Sequence, residues 1–205
     1  MSTAYSMART RERIGGERRS VPPGPHRIVV VGGGAAGMEV VTKLAYVARR
    51  GAICVTLIDR EPAHVWKPML HTIAAGTSDV SQQETHYMAH ALRHGYRFEP
   101  GELQNVDREA RTVRLAPVTV RGRAVLPTRD IPYDTLILAI GSQANDFGIL
   151  GVREHCFMLD SRSQALAFNR EVQTRMMQSF GTATPLRISV VGAGATGVEL
   201  CAELI

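Results

Sequence analysis

The sequence has no apolar run approaching the roughly 20 residues that a helix needs to cross a bilayer. Its N-terminus also has no apolar core of the secretory type, so we expect neither a transmembrane helix nor a secretory signal. Only three of the 205 residues are cysteines, without a Cys-x-x-Cys pair or metal-ligand spacing. We therefore predict buried thiols, a reducing compartment and no metal site.

Aromatic residues are also scarce, at 5% of the chain, and they do not alternate with basic residues. The net charge is +5, but residues 1–27 hold six Arg and two Glu and so contribute +4 of it. The basic balance therefore predicts no nucleic-acid partner. We expect residues 1–26 to be a disordered basic tail; a transit peptide is the alternative, which Glu12, Glu17 and the Pro-Pro-Gly-Pro stretch disfavour.

The chain does contain an internal repeat. Residues 28–44, IVVVGGGAAGMEVVTKL, recur 160 positions later as residues 188–204, ISVVGAGATGVELCAEL. Each copy passes from a β-branched run through Gly-x-Gly-x-x-Gly into a helical pattern, which is the context of a dinucleotide-binding fingerprint. The first Gly allows a tight turn, the second lets the backbone approach a pyrophosphate, and the third lets helix pack on strand. These glycines are Gly32, Gly34 and Gly37, then Gly192, Gly194 and Gly197.

The two copies predict two nucleotide sites, because each helix would direct its free N–H groups at phosphate oxygens. Around the first copy we expect strand His26–Val31, helix Ala35–Arg50 and the apolar parallel strand Ile53–Asp59. Asp59 ends this strand 22 residues after Gly37. An acid there can accept hydrogen bonds from both ribose hydroxyls of an adenine nucleotide and disfavours a 2′-phosphate, so NADP is not expected at this first site.

The later segments predict a mixed pattern. We expect an irregular stretch over Glu61–Ser81, a helix over Gln83–His94, an antiparallel meander of strands Tyr96–Val106, Thr112–Pro117 and Ala124–Ile131, a buried strand over Tyr133–Ile140, and a helix over Ser161–Ser179 capped by Ser161. The predicted fold class is α/β. Residues 27–155 would form a Rossmann-type dinucleotide-binding domain with an inserted antiparallel β-meander. Residues 156–205 would hold a connecting helix and the first βα of a second Rossmann domain.

A Rossmann unit needs a second strand and an acid at its end, and neither follows the second fingerprint. We therefore expect the sequence to be the N-terminal part of a longer protein. The unpaired strand of the second copy would also favour association. One hypothesis is accordingly that the 205-residue chain has no activity of its own.

Taken together, these segments resemble the type II NADH:quinone dehydrogenases, flavoproteins with two dinucleotide-binding domains. The resemblance runs from about residue 26 to residue 205 and is carried by GGGAAG, the strand-end Asp59, HVWKPMLHTIAAGTSD, PYDTLILAIGSQANDFG and VVGAGATGVELCAEL. It implies an enzyme that passes hydride from NADH to FAD and then electrons to a membrane quinone. It also implies attachment to the cytoplasmic face of the cell membrane through a further C-terminal region, and it leaves a homodimer open.

The resemblance also implies roles for individual residues. The FAD pyrophosphate would lie on Gly32, Gly33, Gly34, Ala35, Ala36 and Gly37, and the NADH site would begin at Gly192, Gly194 and Gly197. Other FAD contacts would be Asp59 on the ribose, Arg60 and the Val106 backbone at the adenine, Lys67, Leu70 and His71 along the flavin ring, and Ala139 and Gly141 against the cofactor. Lys67 would stabilise negative charge on reduced flavin. Glu199 would relay protons or orient reactants where nicotinamide meets flavin.

A sulfide:quinone reductase is the alternative within the same fold, because that class uses cysteines and Cys156 is present. No second cysteine is suitably placed beside it. A disulfide reductase is disfavoured, because it would carry Cys-x₄-Cys where this chain has WKPMLHTIAAG. We expect Cys54 and Cys201 to be core residues, and Glu39 and His64 to be structural.

Overall fold

The structure is a computed structural model that describes residues 24–49, 51–79, 81 and 84–205. The predicted tail lies almost wholly outside these residues, as do the predicted helix ends at Arg50 and Gln83. The strands are β1 His26–Val31, β2 Ile53–Asp59, β3 Ala63–Val65, β4 Glu84–His86, β5 Arg97–Pro100, β6 Leu103–Asp107, β7 Thr112–Leu115, β8 Val118–Val120, β9 Arg123–Leu126, β10 Arg129–Pro132 and β11 Thr135–Leu138. The helices are α1 Ala35–Ala48, α2 Leu70–Ala75, α3 Tyr87–His94, α4 Val152–His155, α5 Arg162–Thr182 and α6 Ala195–Glu203, with a 3₁₀ turn at Lys67–Met69.

A parallel sheet in the order β11-β1-β2-β5 forms the centre of the fold. Its two central strands are buried on both faces, which is why their sequences are apolar nearly throughout. Val30 and Leu57 face α1 and α3, whereas Val29 and Ile58 face the antiparallel strands on the other side. The α/β prediction is confirmed, and β1 and β2 have the predicted bounds.

The antiparallel insertion is also confirmed, but its predicted boundaries were wrong. The strand predicted over 96–106 is two strands, because β5 joins the parallel sheet and β6 opens an antiparallel sheet in the order β10-β7-β6. The strand predicted over 124–131 is divided at Pro127, which lacks the N–H that a ladder requires. Its first part, β9, pairs with β8 as a separate hairpin.

The stretch predicted to be irregular carries regular structure. β3 pairs with β4, and the 3₁₀ turn at Lys67–Met69 leads directly into α2. The prediction failed because three-residue strands show no periodicity and form only through a partner distant in sequence. Likewise the helix predicted from Gln83 begins at Tyr87, after β4.

The last part of the chain follows the prediction less closely. Ser161 caps α5 as expected, in a reciprocal capping box with Gln164. α6 is present, but residues 184–194 pair with no strand among the described residues, so the predicted second-fingerprint strand is not formed. For the same reason Cys201, predicted to lie in the core, is exposed. Within the described ranges, no helix is long and apolar enough to span a membrane.

Candidate functional site

The first fingerprint forms a tight loop at the carboxyl ends of the parallel strands. The Gly32 N–H donates to the Ile58 carbonyl at 2.8 Å, and the Ala139 N–H donates to the Val31 carbonyl at 2.7 Å. Gly32 has φ +101°, and a Cβ there would overlap the Ala139 backbone. A Cβ on Gly37 would overlap the Gly32 carbonyl oxygen. The loop therefore fits between β2 and β11 only with glycine at both positions.

The N-terminus of α1 faces open space beyond this loop. Gly34 is the N-cap in an extended conformation, without a side-chain capping bond and without an acidic residue in the first turn. A Cβ on Gly34 would meet no atom within 4 Å, and Ala35 and Ala36 are exposed. The N–H groups of a helix N-terminus together with its dipole form an anion site. The geometry therefore fits a diphosphate group.

The second fingerprint repeats this geometry. Gly192 has φ +110°, Gly194 is an extended N-cap, and a Cβ on Gly197 would overlap the Gly192 carbonyl oxygen. A concave region of about 370 Å³ lies beside the loop, lined by Val190, Gly192, Ala193, Gly197, Val198 and Cys201. The two halves of the repeat thus share a backbone conformation as well as a sequence pattern.

Asp59 fastens the first loop to the end of β2. Its Oδ2 atom accepts the Gly33 N–H at 2.5 Å, and its Oδ1 atom accepts the Glu61 N–H at 2.8 Å. A carboxylate offers about four lone-pair positions, so these two bonds leave acceptor capacity for ribose hydroxyls. Arg60 is exposed and lies 3.6 Å from Glu102, in an ion pair at the same rim.

The other predicted FAD contacts lie in different surroundings. Gly141 is exposed with φ +68°, and Ala139 adjoins the first loop. Val106 packs against the buried cluster beneath the parallel sheet, so only its backbone could serve a ligand. The exposed Lys67 Nζ donates to the Ser142 carbonyl at 3.2 Å and to Asp160 Oδ1 at 3.1 Å.

Leu70 and His71 are buried rather than open to a ligand. Leu70 packs with Ala165 of α5 and Leu200 of α6. The His71 Nδ1 atom lies 3.2 Å from the Oε2 atom of Glu199. The structure thus brings Glu199 to His71 and places Lys67 beside Ser142 and Asp160.

Sequence reasoning missed Tyr87 and Asp160. The buried Tyr87 hydroxyl donates to the Gly33 carbonyl at 2.7 Å and thereby supports the loop from below. Burial, with Asp59 nearby, raises the pKa of this phenol far above its usual value. Neither residue belongs to a motif, so no local signal could have identified them.

Replacing Tyr87 with phenylalanine should lower the free energy of unfolding by about 1 kcal/mol, because the Gly33 carbonyl loses its buried donor. Urea denaturation followed by circular dichroism measures this change. His90→Phe is the control, since His90 lies on the same helix but its ring bonds to the Tyr96 hydroxyl and not to the loop. A Tyr87→Phe protein as stable as the wild type would show that the hydroxyl does not support the loop.

Known proteins share both the sequence pattern and the fold. The chain is 40% identical over 196 residues to the type II NADH:quinone oxidoreductase of Haemophilus influenzae, covering 86% of this chain and 44% of that protein. It therefore spans less than half the length of this relative. NDH2 from Plasmodium falciparum in complex with NADH has a TM-score of 0.67 at 23% identity, covering 87% of this chain and 36% of that chain.

CoADR-RHD from Bacillus anthracis has a TM-score of 0.73 at 21% identity, covering 88% of this chain and 31% of that chain. At these identities the structural likenesses show a shared fold. The sequence profile of the pyridine nucleotide-disulphide oxidoreductase family matches residues 26–205, which include both fingerprints and every described element. The chain belongs to the pyridine nucleotide-disulphide oxidoreductase family.

Proposed function

We propose that this chain carries the FAD site and the beginning of the NADH site of an NADH:quinone oxidoreductase. Residues 27–155 form the FAD-binding domain, and residues 156–205 the connecting helix and the start of the NADH-binding domain. The observation that carries the proposal is the duplicated glycine loop, with the strand-end acid Asp59 beside the first copy. The similarity to the Haemophilus influenzae oxidoreductase supports the choice of NADH and a quinone.

The residues of the first loop would bind FAD and orient it. The N–H groups at the exposed N-terminus of α1 donate hydrogen bonds to the pyrophosphate of FAD. Asp59 accepts hydrogen bonds from the adenosine ribose hydroxyls. Arg60 and the Val106 backbone would contact the adenine, and Ala139 and Gly141 would line the cofactor. FAD supplies the hydride and electron chemistry when bound.

Lys67 and Glu199 are the charged residues assigned to the reaction. Lys67 is held by Ser142 and Asp160 with more than half of its side chain exposed, so its ammonium group stabilises nearby negative charge. Glu199 lies two residues after Gly197, in the second turn of α6, and its half-exposed carboxylate can hold or pass a proton. By the same similarity the proposal includes a membrane quinone as electron acceptor and attachment at the cytoplasmic face of the membrane.

The sulfide:quinone alternative receives less support. Cys156 is exposed and free, Cys54 lies half-buried within β2, and Cys201 lies on α6. A sulfide-oxidising site built on a thiol needs a second sulfur within reach, and no disulfide is formed among the described residues.

The test is an absorbance titration followed by two additions. The purified chain should take up FAD with one-to-one stoichiometry. NADH and then a quinone are added to a chimera in which the NADH site is complete; NADH should bleach its flavin band, and the quinone should restore it. To build this chimera, residues 26–205 replace the matching segment of the Haemophilus influenzae enzyme. The other residues of that enzyme then supply the length that this chain does not cover. This chimera should oxidise NADH with quinone. A chimera that binds FAD fully but is not reduced by NADH would contradict the proposal.

A further inference from the structure

Two side chains from distant parts of the sequence meet between α2 and α6. His71 is 8% exposed, and its Nδ1 atom lies 3.2 Å from the Oε2 atom of Glu199. Among the described residues, this enclosed nitrogen has no aligned hydrogen bond. A buried polar atom without a partner destabilises a fold, and the half-exposed Glu199 carboxylate is an acceptor within 3.2 Å of this nitrogen.

The chemistry of the pair fixes the position of a proton. An ionised carboxylate can only accept hydrogen bonds, so the contact is favourable only when Nδ1 carries hydrogen. In neutral imidazole one nitrogen carries the proton and the other does not. Donation from Nδ1 therefore selects the Nδ1–H tautomer of His71.

The backbones that carry the two residues are held firmly together. Leu70 and Ile73 of α2 pack with Leu200 of α6 in one buried cluster. One turn after Glu199, the Glu203 carboxylate accepts the Thr77 hydroxyl at 2.5 Å. Other contacts thus fix the positions of the two helices. A bond from His71 would therefore affect only the orientation of the Glu199 carboxylate.

We propose that His71 is a positioning residue whose Nδ1–H holds the carboxylate of Glu199 in one orientation. The pair joins the two proposed nucleotide sites, because α2 continues from Lys67 beside the first and α6 begins at the second. The role in the reaction rests on the proposed function, whereas the pairing is a property of this chain alone. His71 thereby acts on the reaction through Glu199.

The pairing is tested by long-range ¹H–¹⁵N NMR of the histidine rings in the full chain. His71 should carry a proton on Nδ1 in the wild type, and its signal is assigned by its loss in His71→Asn. Glu199→Ala should shift His71 toward the Nε2–H tautomer. Cys201→Ala, at an exposed position of the same helix, should leave it unchanged. An unprotonated Nδ1 in the wild type, or a tautomer that does not respond to Glu199→Ala, would overturn the pairing.

The positioning role is tested by three substitutions of His71 in the FAD-loaded chimera with the Haemophilus influenzae enzyme, which supplies the rest of the NADH site. Asparagine keeps a donor near the position of Nδ1, glutamine places it near Nε2, and leucine removes it. We expect NADH to reduce the flavin about tenfold more slowly in His71→Leu and His71→Gln, and His71→Asn to stay near the wild-type rate. Equal loss in His71→Asn and His71→Leu would refute the role. A wild type that binds no FAD contradicts the proposed function instead, and the tautomer result stands independently.

Discussion

Replacing Gly37 with alanine should lower the free energy of unfolding by about 3 kcal/mol or more and abolish FAD binding. The added methyl group would overlap the Gly32 carbonyl oxygen, which is backbone and cannot rotate away. The loop would have to leave its place between β2 and β11, where the Gly32 N–H and the Ala139 N–H are bonded. Chemical denaturation followed by circular dichroism, together with a flavin titration, measures both effects.

Gly34→Ala provides the matched control, because this glycine is three residues away in the same loop. Its φ of −65° suits alanine, and no atom lies within 4 Å of the added Cβ. Stability should change by at most about 1 kcal/mol. The methyl group would nevertheless occupy the space in front of α1, so FAD affinity should fall about tenfold. If Gly34→Ala unfolded the protein or Gly37→Ala were fully stable, the steric account of the loop would be wrong.

Removal of the Asp59 carboxylate should reduce FAD affinity about 100-fold in Asp59→Ala. Two contributions combine in this loss. The ribose hydroxyls lose a charged acceptor, and the Gly33 N–H loses the oxygen that now lies 2.5 Å away and anchors the loop. Asp59→Asn keeps an oxygen acceptor without the charge, so it should lose only about tenfold. Titration of each variant with FAD, followed by flavin absorbance, gives the dissociation constants.

Glu102→Ala serves as the control for charge at the same rim. Glu102 is exposed and pairs with Arg60 at 3.6 Å, a surface contact of small energetic value. Its removal should leave FAD affinity within about twofold of the wild type. If Asp59→Ala bound FAD as tightly as the wild type, the Asp59 carboxylate would not contribute to nucleotide binding. The main support for the first site would then be lost.

The features that the sequence predicts well are those with a local cause. β1 and β2 are buried on both faces, and their largely apolar, mostly β-branched runs identify them to the residue. Gly37 is required by a contact within six residues of chain, the close approach to the Gly32 carbonyl oxygen. The capping box at Ser161 is equally local. Steric contacts and hydrogen bonds between residues close in the sequence can therefore be predicted from the sequence.

The features that escaped prediction depend on contacts between distant segments. β3 exists because it pairs with β4, and the strand predicted over 96–106 divides because its first part joins β2. The support of the loop by Tyr87 and the approach of His71 to Glu199 arise only when separate elements pack together. None of these segments contains a periodicity or motif that would predict its distant partner.

The second glycine loop has the same turn as the first loop, although its surroundings differ. Its turn has the same left-handed first glycine and the same close approach of its third glycine as the first loop. Yet the residues that lead into it belong to no ladder among the described residues. The left-handed turn and the close approach of Gly197 to Gly192 therefore do not depend on a strand ladder. Val190 and Leu200, on either side of the loop, pack instead with side chains of α2 and α5.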